Sequence, residues 1–78
     1  MTNQEKYDKV FCETFRVVED QLSTLEFKQT PLWDSVGHLT LISALEEEFD
    51  ILLDTEDMMG LTSYHIGLDI LRKYDVDI

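Results

Sequence analysis

The sequence predicts an all-α fold: a four-helix bundle with a long first loop and a short third helix. Three observations lead there. The chain has 78 residues, room for one core and no second folding unit, so residues 1–78 are read as a single domain. One proline and three glycines are too few breakers for a sheet with many turns, and they suit a compact bundle. Apolar residues recur at three- and four-residue spacing in several separate stretches, the period of a helix with one buried face.

The first helix is expected from about Gln4 to Gln21, with Tyr7, Val10, Phe11, Phe15, Val18 and Leu22 in one stripe. Asp20 to Trp33 then reads as a long connection, because Ser23, Thr24, Thr30 and Pro31 break any continuation. Leu22, Leu25, Phe27, Leu32 and Trp33 are expected to pin that loop to the core. A second helix follows from about Ser35 to Phe49, capped by Asp34 or by Ser35 itself. At about 100° per residue, Leu39, Ile42, Leu45 and Phe49 share its buried face, with His38 and Leu41 at the edge. Val36, Thr40, Ser43 and Glu47 point away, which leaves Val36 an apolar residue on the wet side. Asp54 and Thr55 can cap a short third helix over about Glu56 to Met59, stopped by Gly60. Thr62 or Ser63 caps a fourth, from Tyr64 to about Tyr74, with Ile66, Leu68, Ile70 and Leu71 on its apolar face. Ile51 to Leu53 could form a strand, but no partner for it is evident.

Charge excludes whole classes of function. Seventeen acids against six bases leave a formal net charge of −11, which repels nucleic acid. Every lysine and arginine lies within residues 6–28 or 72–73. Between them stand Asp34, Glu46, Glu47, Glu48, Asp50, Asp54, Glu56, Asp57 and Asp69 with no positive neighbour in sequence. Such a field either aids solubility or speeds encounter with basic partners, and charge alone leaves both open. No apolar run approaches the roughly 20 residues that cross a bilayer. The N-terminal MTNQEKYDKV is charged where a signal peptide would be apolar, so a cytoplasmic location is expected. Nothing in the sequence signals a stable oligomer, and a monomer is the default expectation. One cysteine, Cys12, permits neither an internal disulfide nor a multi-cysteine zinc site. Asp50, Asp54, Glu56 and Asp57 lack the alternating order of a calcium loop.

The segment Trp33-Asp34-Ser35-Val36-Gly37-His38-Leu39 leads without a gap into Leu45-Glu46-Glu47-Glu48-Phe49-Asp50. It resembles the acyl carrier protein family, whose signature is Asp-Ser and an apolar residue opening an acidic second helix. Leu53 matches the next buried position, and Leu61-Thr62-Ser63 falls where that family opens its last helix. The resemblance covers residues 31–74 well and the first helix by pattern only.

The resemblance implies that Ser35 receives the 4′-phosphopantetheine of coenzyme A from a phosphopantetheinyl transferase. A helix N-terminus, with free amides and the positive dipole end, suits a phosphodiester. It further implies a carrier rather than an enzyme. Its acyl thioester would be presented to fatty acid or related biosynthetic enzymes: an acyl ligase, synthase or acyltransferase with a basic docking patch. Asp34, Val36, Glu46, Glu47 and Glu56 fall at the family's contact positions. Three residues depart from the pattern: Gly37 and Thr40 replace commoner acids, and Ser43 stands where many members have methionine. These point to a specialised pathway. The alternatives are an aminoacyl or peptidyl carrier, whose relatives usually have a glycine-rich stretch before the serine, and an unmodified acidic interaction module. A serine hydrolase using Ser35 and His38 is rejected, because the glycine-flanked nucleophile elbow is absent.

Overall fold

A computed structural model describes residues 1–78. Four α-helices follow in order: α1 (Asn3–Phe15), α2 (Ser35–Phe49), α3 (Thr55–Gly60) and α4 (Tyr64–Arg72), with a 3-10 helix at Glu19–Thr24 between the first two. This is the all-α bundle expected, with its long first loop and short third helix. No strand forms. Ile51 to Leu53 are irregular, and one isolated antiparallel bridge joins Glu26 to Ser63.

Helix α1 starts at a capping box that the sequence reading passed over. The Thr2 hydroxyl accepts from the Glu5 amide at 3.1 Å, and the Glu5 carboxylate accepts from the Thr2 amide at 2.9 Å. The helix ends at Phe15, earlier than the expected Gln21. Arg16 turns into the left-handed region (φ 55°), and its amide donates to the Cys12 carbonyl. The apolar stripe misled because Leu22 is buried from the 3-10 helix, at the spacing a continuing α-helix would have used. Val18, expected in the stripe, is exposed.

The core is aromatic on the α1 side. Tyr7, Phe11, Phe15, Trp33 and Tyr64 are all buried. Trp33 stacks on Phe15 with centroids 4.7 Å apart and meets Phe11 edge-on at 5.7 Å. The Tyr7 hydroxyl donates to the Tyr64 carbonyl at 2.6 Å. Gly67 makes that contact possible, since a Cβ there would lie 2.1 Å from the Tyr7 oxygen. Burying each such ring contributes about 1.5–3 kcal/mol.

The long loop is pinned as expected by Leu22, Leu25 and Trp33, with Phe27 half-buried, whereas Leu32 is exposed. Backbone bonds hold it to the start of α4: Phe27 donates to Thr62 at 2.9 Å, and Tyr64 donates to Leu25 at 3.2 Å. Helix α4 is capped by Ser63, one of the two residues proposed for the role, and ends at Arg72. Its buried face is Tyr64, Gly67, Ile70 and Leu71, so Ile66 is a correction: it lies on the exposed side.

Helix α2 has the expected bounds but a different phase. Leu41, Ile42 and Leu45 are buried, and Leu39 is 65% exposed. Positions 39 and 41 both fit a stripe through Ile42 and Leu45. Tertiary packing, not the period, decides between them: Leu41 is fully buried and Leu39 lies largely in water. No helix is long and apolar enough to cross a membrane.

Candidate functional site

The tip of α2 is built by Asp34. Its carboxylate accepts from the Gly37 amide at 2.9 Å, and its carbonyl accepts from the His38 amide at 2.8 Å. Capping therefore falls to Asp34 rather than to Ser35, which is the first helical residue and is exposed. The opening amides of a helix, here those of Ser35 and Val36, have no intrahelical acceptor and face outward with the positive end of the dipole.

The loop closes tightly onto this tip. A Cβ at Gly37 would lie 1.8 Å from the Leu32 carbonyl oxygen, too close for any side chain unless the backbone moves. Leu32 itself takes φ 72°, a conformation that costs a residue with a side chain about 1–3 kcal/mol. An acid at position 37 is thus excluded by the approach of Leu32. Its absence is a steric requirement before it is a change in charge.

His38 locks the same corner. The Trp33 indole N–H donates to His38 Nδ1 at 3.0 Å, and His38 Nε2 lies 2.7 Å from the Met58 carbonyl. An indole only donates, so Nδ1 accepts and Nε2 carries the proton given to Met58. Both nitrogens are committed, and the imidazole ties loop, α2 and α3 together. The sequence reading placed His38 at the core edge, as found, but had no means of seeing a partner 20 residues away.

Around Ser35 the surface mixes acid with exposed apolar groups. Val36 is 73% exposed and Leu39 65%, with Leu32 and Met59 also outward. Asp34, Glu47 and Glu56 are exposed. Glu46 is half-buried, and one of its carboxylate oxygens accepts from the Leu53 amide at 2.9 Å, which fastens the turn after α2. The Thr40 hydroxyl donates to the Val36 carbonyl at 3.1 Å.

Helix α3 hangs on a small polar cluster. Asp54 caps it by accepting from the Asp57 amide at 2.8 Å. Asp57 is buried and accepts from Lys73 Nζ at 2.7 Å and from the Tyr74 hydroxyl at 2.6 Å, while that hydroxyl accepts from the Asp54 amide. The Lys73 bond, then the Tyr74 bond, holds the Asp57 carboxyl below its usual range, and Lys73 is raised in turn. In the sequence Asp57 is one acid among many in the acidic window, and nothing local marks it as buried. Elsewhere, Cys12 is half-buried, with its thiol pushed up by burial and then by nearby Glu19, Asp8 and Glu13. No group of three or more histidine, cysteine or acidic residues could hold a metal ion.

Fold and site together define a small acidic helical bundle of carrier-protein type. No family model matches the chain, and no solved structure matches it. Among curated proteins it is similar to the acyl carrier protein of Buchnera aphidicola subsp. Baizongia pistaciae (strain Bp), 31% identical over 72 residues. That alignment spans 91% of this chain and 92% of the relative. The chain belongs to the acyl carrier protein family.

Proposed function

We propose that this protein carries an acyl group as a thioester on a 4′-phosphopantetheine arm attached to Ser35, and presents it to enzymes acting in trans. The observation that carries this reading is the exposed Ser35 at the first position of α2, freed from capping by Asp34. The name of the relative, acyl carrier protein, supports it.

The residues present fit the group. The amides of Ser35 and Val36, without an intrahelical acceptor, could donate to a phosphodiester on the Ser35 oxygen, and the helix dipole would favour its charge. When bound, the arm supplies a terminal thiol that activates the acyl group as a thioester. The chain's own part is to hold the root of the arm rigidly. Asp34 caps the helix, Gly37 admits the Leu32 turn, and His38 locks loop and helices together. The committed nitrogens of His38 also argue against Ser35 and His38 acting as a hydrolytic pair.

Partners on this reading are a phosphopantetheinyl transferase and an acyl ligase, synthase or acyltransferase with a basic docking patch. Val36 serves as the apolar anchor, with Asp34, Glu47 and Glu56 as a charged rim to which Glu46 adds its field. The uncharged Thr40 and Ser43 favour a specialised pathway over housekeeping fatty acid synthesis. The intact mass after incubation with coenzyme A and a promiscuous phosphopantetheinyl transferase tests the reading. One phosphopantetheine adduct is expected on the wild type and none on Ser35→Ala. Glu47→Lys should slow the transfer, and more so at low salt. An unmodified wild type, or an adduct surviving Ser35→Ala, would overturn the assignment.

A further inference from the structure

We propose that Arg16 holds the phosphodiester at the root of the arm, so that the arm leaves Ser35 on the α1 side of α2. This deepens the carrier reading and rests on it. Helix α1 runs back along α2. Lys9 and Glu13 flank a hollow with Ala44 and Glu47, and further on Thr14 and Arg16 flank another with Val36 and Thr40. The second hollow has a volume of about 370 Å³ and is walled by Asp34 and Val36, the residues on either side of Ser35. Arg16 is its only cation.

That cation is exposed and unspent. The ion pairs of the molecule join Arg72 to Asp69 and Lys73 to Asp57, so Arg16 is paired with no carboxylate in a chain of seventeen acids. The wall of the hollow keeps it so. Asp34, the one carboxylate there, accepts from the Gly37 amide at the helix cap. The Thr40 hydroxyl donates to the Val36 carbonyl. An acid at position 40 would share the hollow with Arg16 and pair with it, whereas threonine leaves it free. Arg16 also sits at φ 55°, where glycine would be unstrained and arginine is not. A cation at this end of α1 offsets that helix's dipole too, a role that attaching the arm would not alter.

Charge decides the ligand. A phosphodiester on Ser35 puts a second anion beside Asp34, and like charges on adjacent residues repel. Arg16 offsets that repulsion, and a guanidinium binds phosphate oxygens through paired N–H donors. Of the arm's groups, only the phosphodiester is tied to this place. It is bonded to the Ser35 oxygen, while the amides and the thiol swing beyond. Leu32 and Val36, both exposed on the same hollow, offer the next atoms of the arm an apolar wall.

The test attaches the arm to the full chain from coenzyme A with a promiscuous phosphopantetheinyl transferase, and reads the mass before any spectrum. The phosphorus NMR shift of the arm should differ between wild type and Arg16→Gly, a variant whose backbone suits φ 55° and so keeps the fold. Arg16→Lys should fall between them, since an ammonium supplies charge without the paired donors. Lys9→Ala removes the same charge from the other hollow and should match wild type. The Arg16 Nε–H signal should move when the arm is attached, and added salt should shrink both effects. Equal phosphorus shifts in wild type and Arg16→Gly overturn the inference while the carrier reading stands, because the mass has shown the arm. A change as large in Lys9→Ala as in Arg16→Gly does the same, and makes net charge the cause. So does an Arg16 signal that ignores the arm and moves only when the transferase is added, which assigns the guanidinium to a partner's carboxylate. A wild type that takes no arm fails at the mass, and both readings fall together.

Discussion

The two sides of this bundle are held by different physics. On the α1 and α4 side, five aromatic rings (Tyr7, Phe11, Phe15, Trp33 and Tyr64) interlock, and each of their polar atoms has a partner: Tyr7 the Tyr64 carbonyl, Tyr64 the Asp8 carboxylate and Trp33 the His38 ring. On the α2 and α3 side, the surface around Ser35 carries exposed Val36, Leu39 and Met59 among carboxylates, and α3 is only six residues long. Its attachments are polar: His38 to the Met58 carbonyl, and Asp57 to Lys73 and Tyr74. A carrier needs both. The aromatic side supplies stability that does not depend on the site, which leaves the site free to expose apolar groups that a partner can cover.

Breaking the aromatic side should therefore cost most. Phe11 is fully buried and touches Tyr7, Phe15, Trp33 and Tyr64. Phe11→Ala should lose about 3–5 kcal/mol, a large share of the roughly 5–15 kcal/mol typical of a domain. Urea unfolding followed by Trp33 fluorescence measures it, and a loss under about 1 kcal/mol would contradict the division drawn between the two sides.

The boundary between core and site runs along α2, and two leucines mark it. Leu41→Ala should cost about 2–5 kcal/mol. Leu39→Ala should fall within about 0.5 kcal/mol of wild type, since Leu39 is largely in water. Comparable losses at the two positions would mean that the helix is phased otherwise.

That phasing shows what the sequence could reveal. The cap of α2, to within Asp34 or Ser35, the extent of α2 and the acidic window were legible because each depends on residues close together in the chain. So was Ser63 as the cap of α4, to within one residue. Leu39 and Leu41 were not separable, because both satisfy the helical period and only tertiary packing selects between them. The end of α1 was hidden for a related reason. Arg16 adopts a left-handed cap without being glycine, and the 3-10 helix buries Leu22 where an α-helix would have. The reason for Gly37 and the two-sided bonding of His38 rest on contacts across space, with Leu32 and with Met58. Asp57 was masked by its company, one carboxylate among many with nothing local to mark it as buried.

Asp57 also sharpens the comparison from the site side, with the smallest effect expected. Its carboxyl lies below the ordinary value of 3.8 in the folded protein, through bonds from Lys73 and Tyr74, and returns to it on unfolding. Between those two values the unfolded chain binds more protons than the folded one, so stability rises with pH there. The contribution is complete above the ordinary value and is lost as pH falls through the lowered one. Asp57→Asn keeps acceptor and donor groups but no charge. It should be less stable than wild type at neutral pH, with the gap closing once the solution is more acidic than the folded carboxyl. Amide exchange should locate the loss in α3 and the end of α4, leaving the aromatic side at wild-type protection. A gap that persists unchanged into acid would mean that the cluster works through shape rather than charge. Faster exchange at Phe11 or Trp33 would mean that the two sides are not separately held.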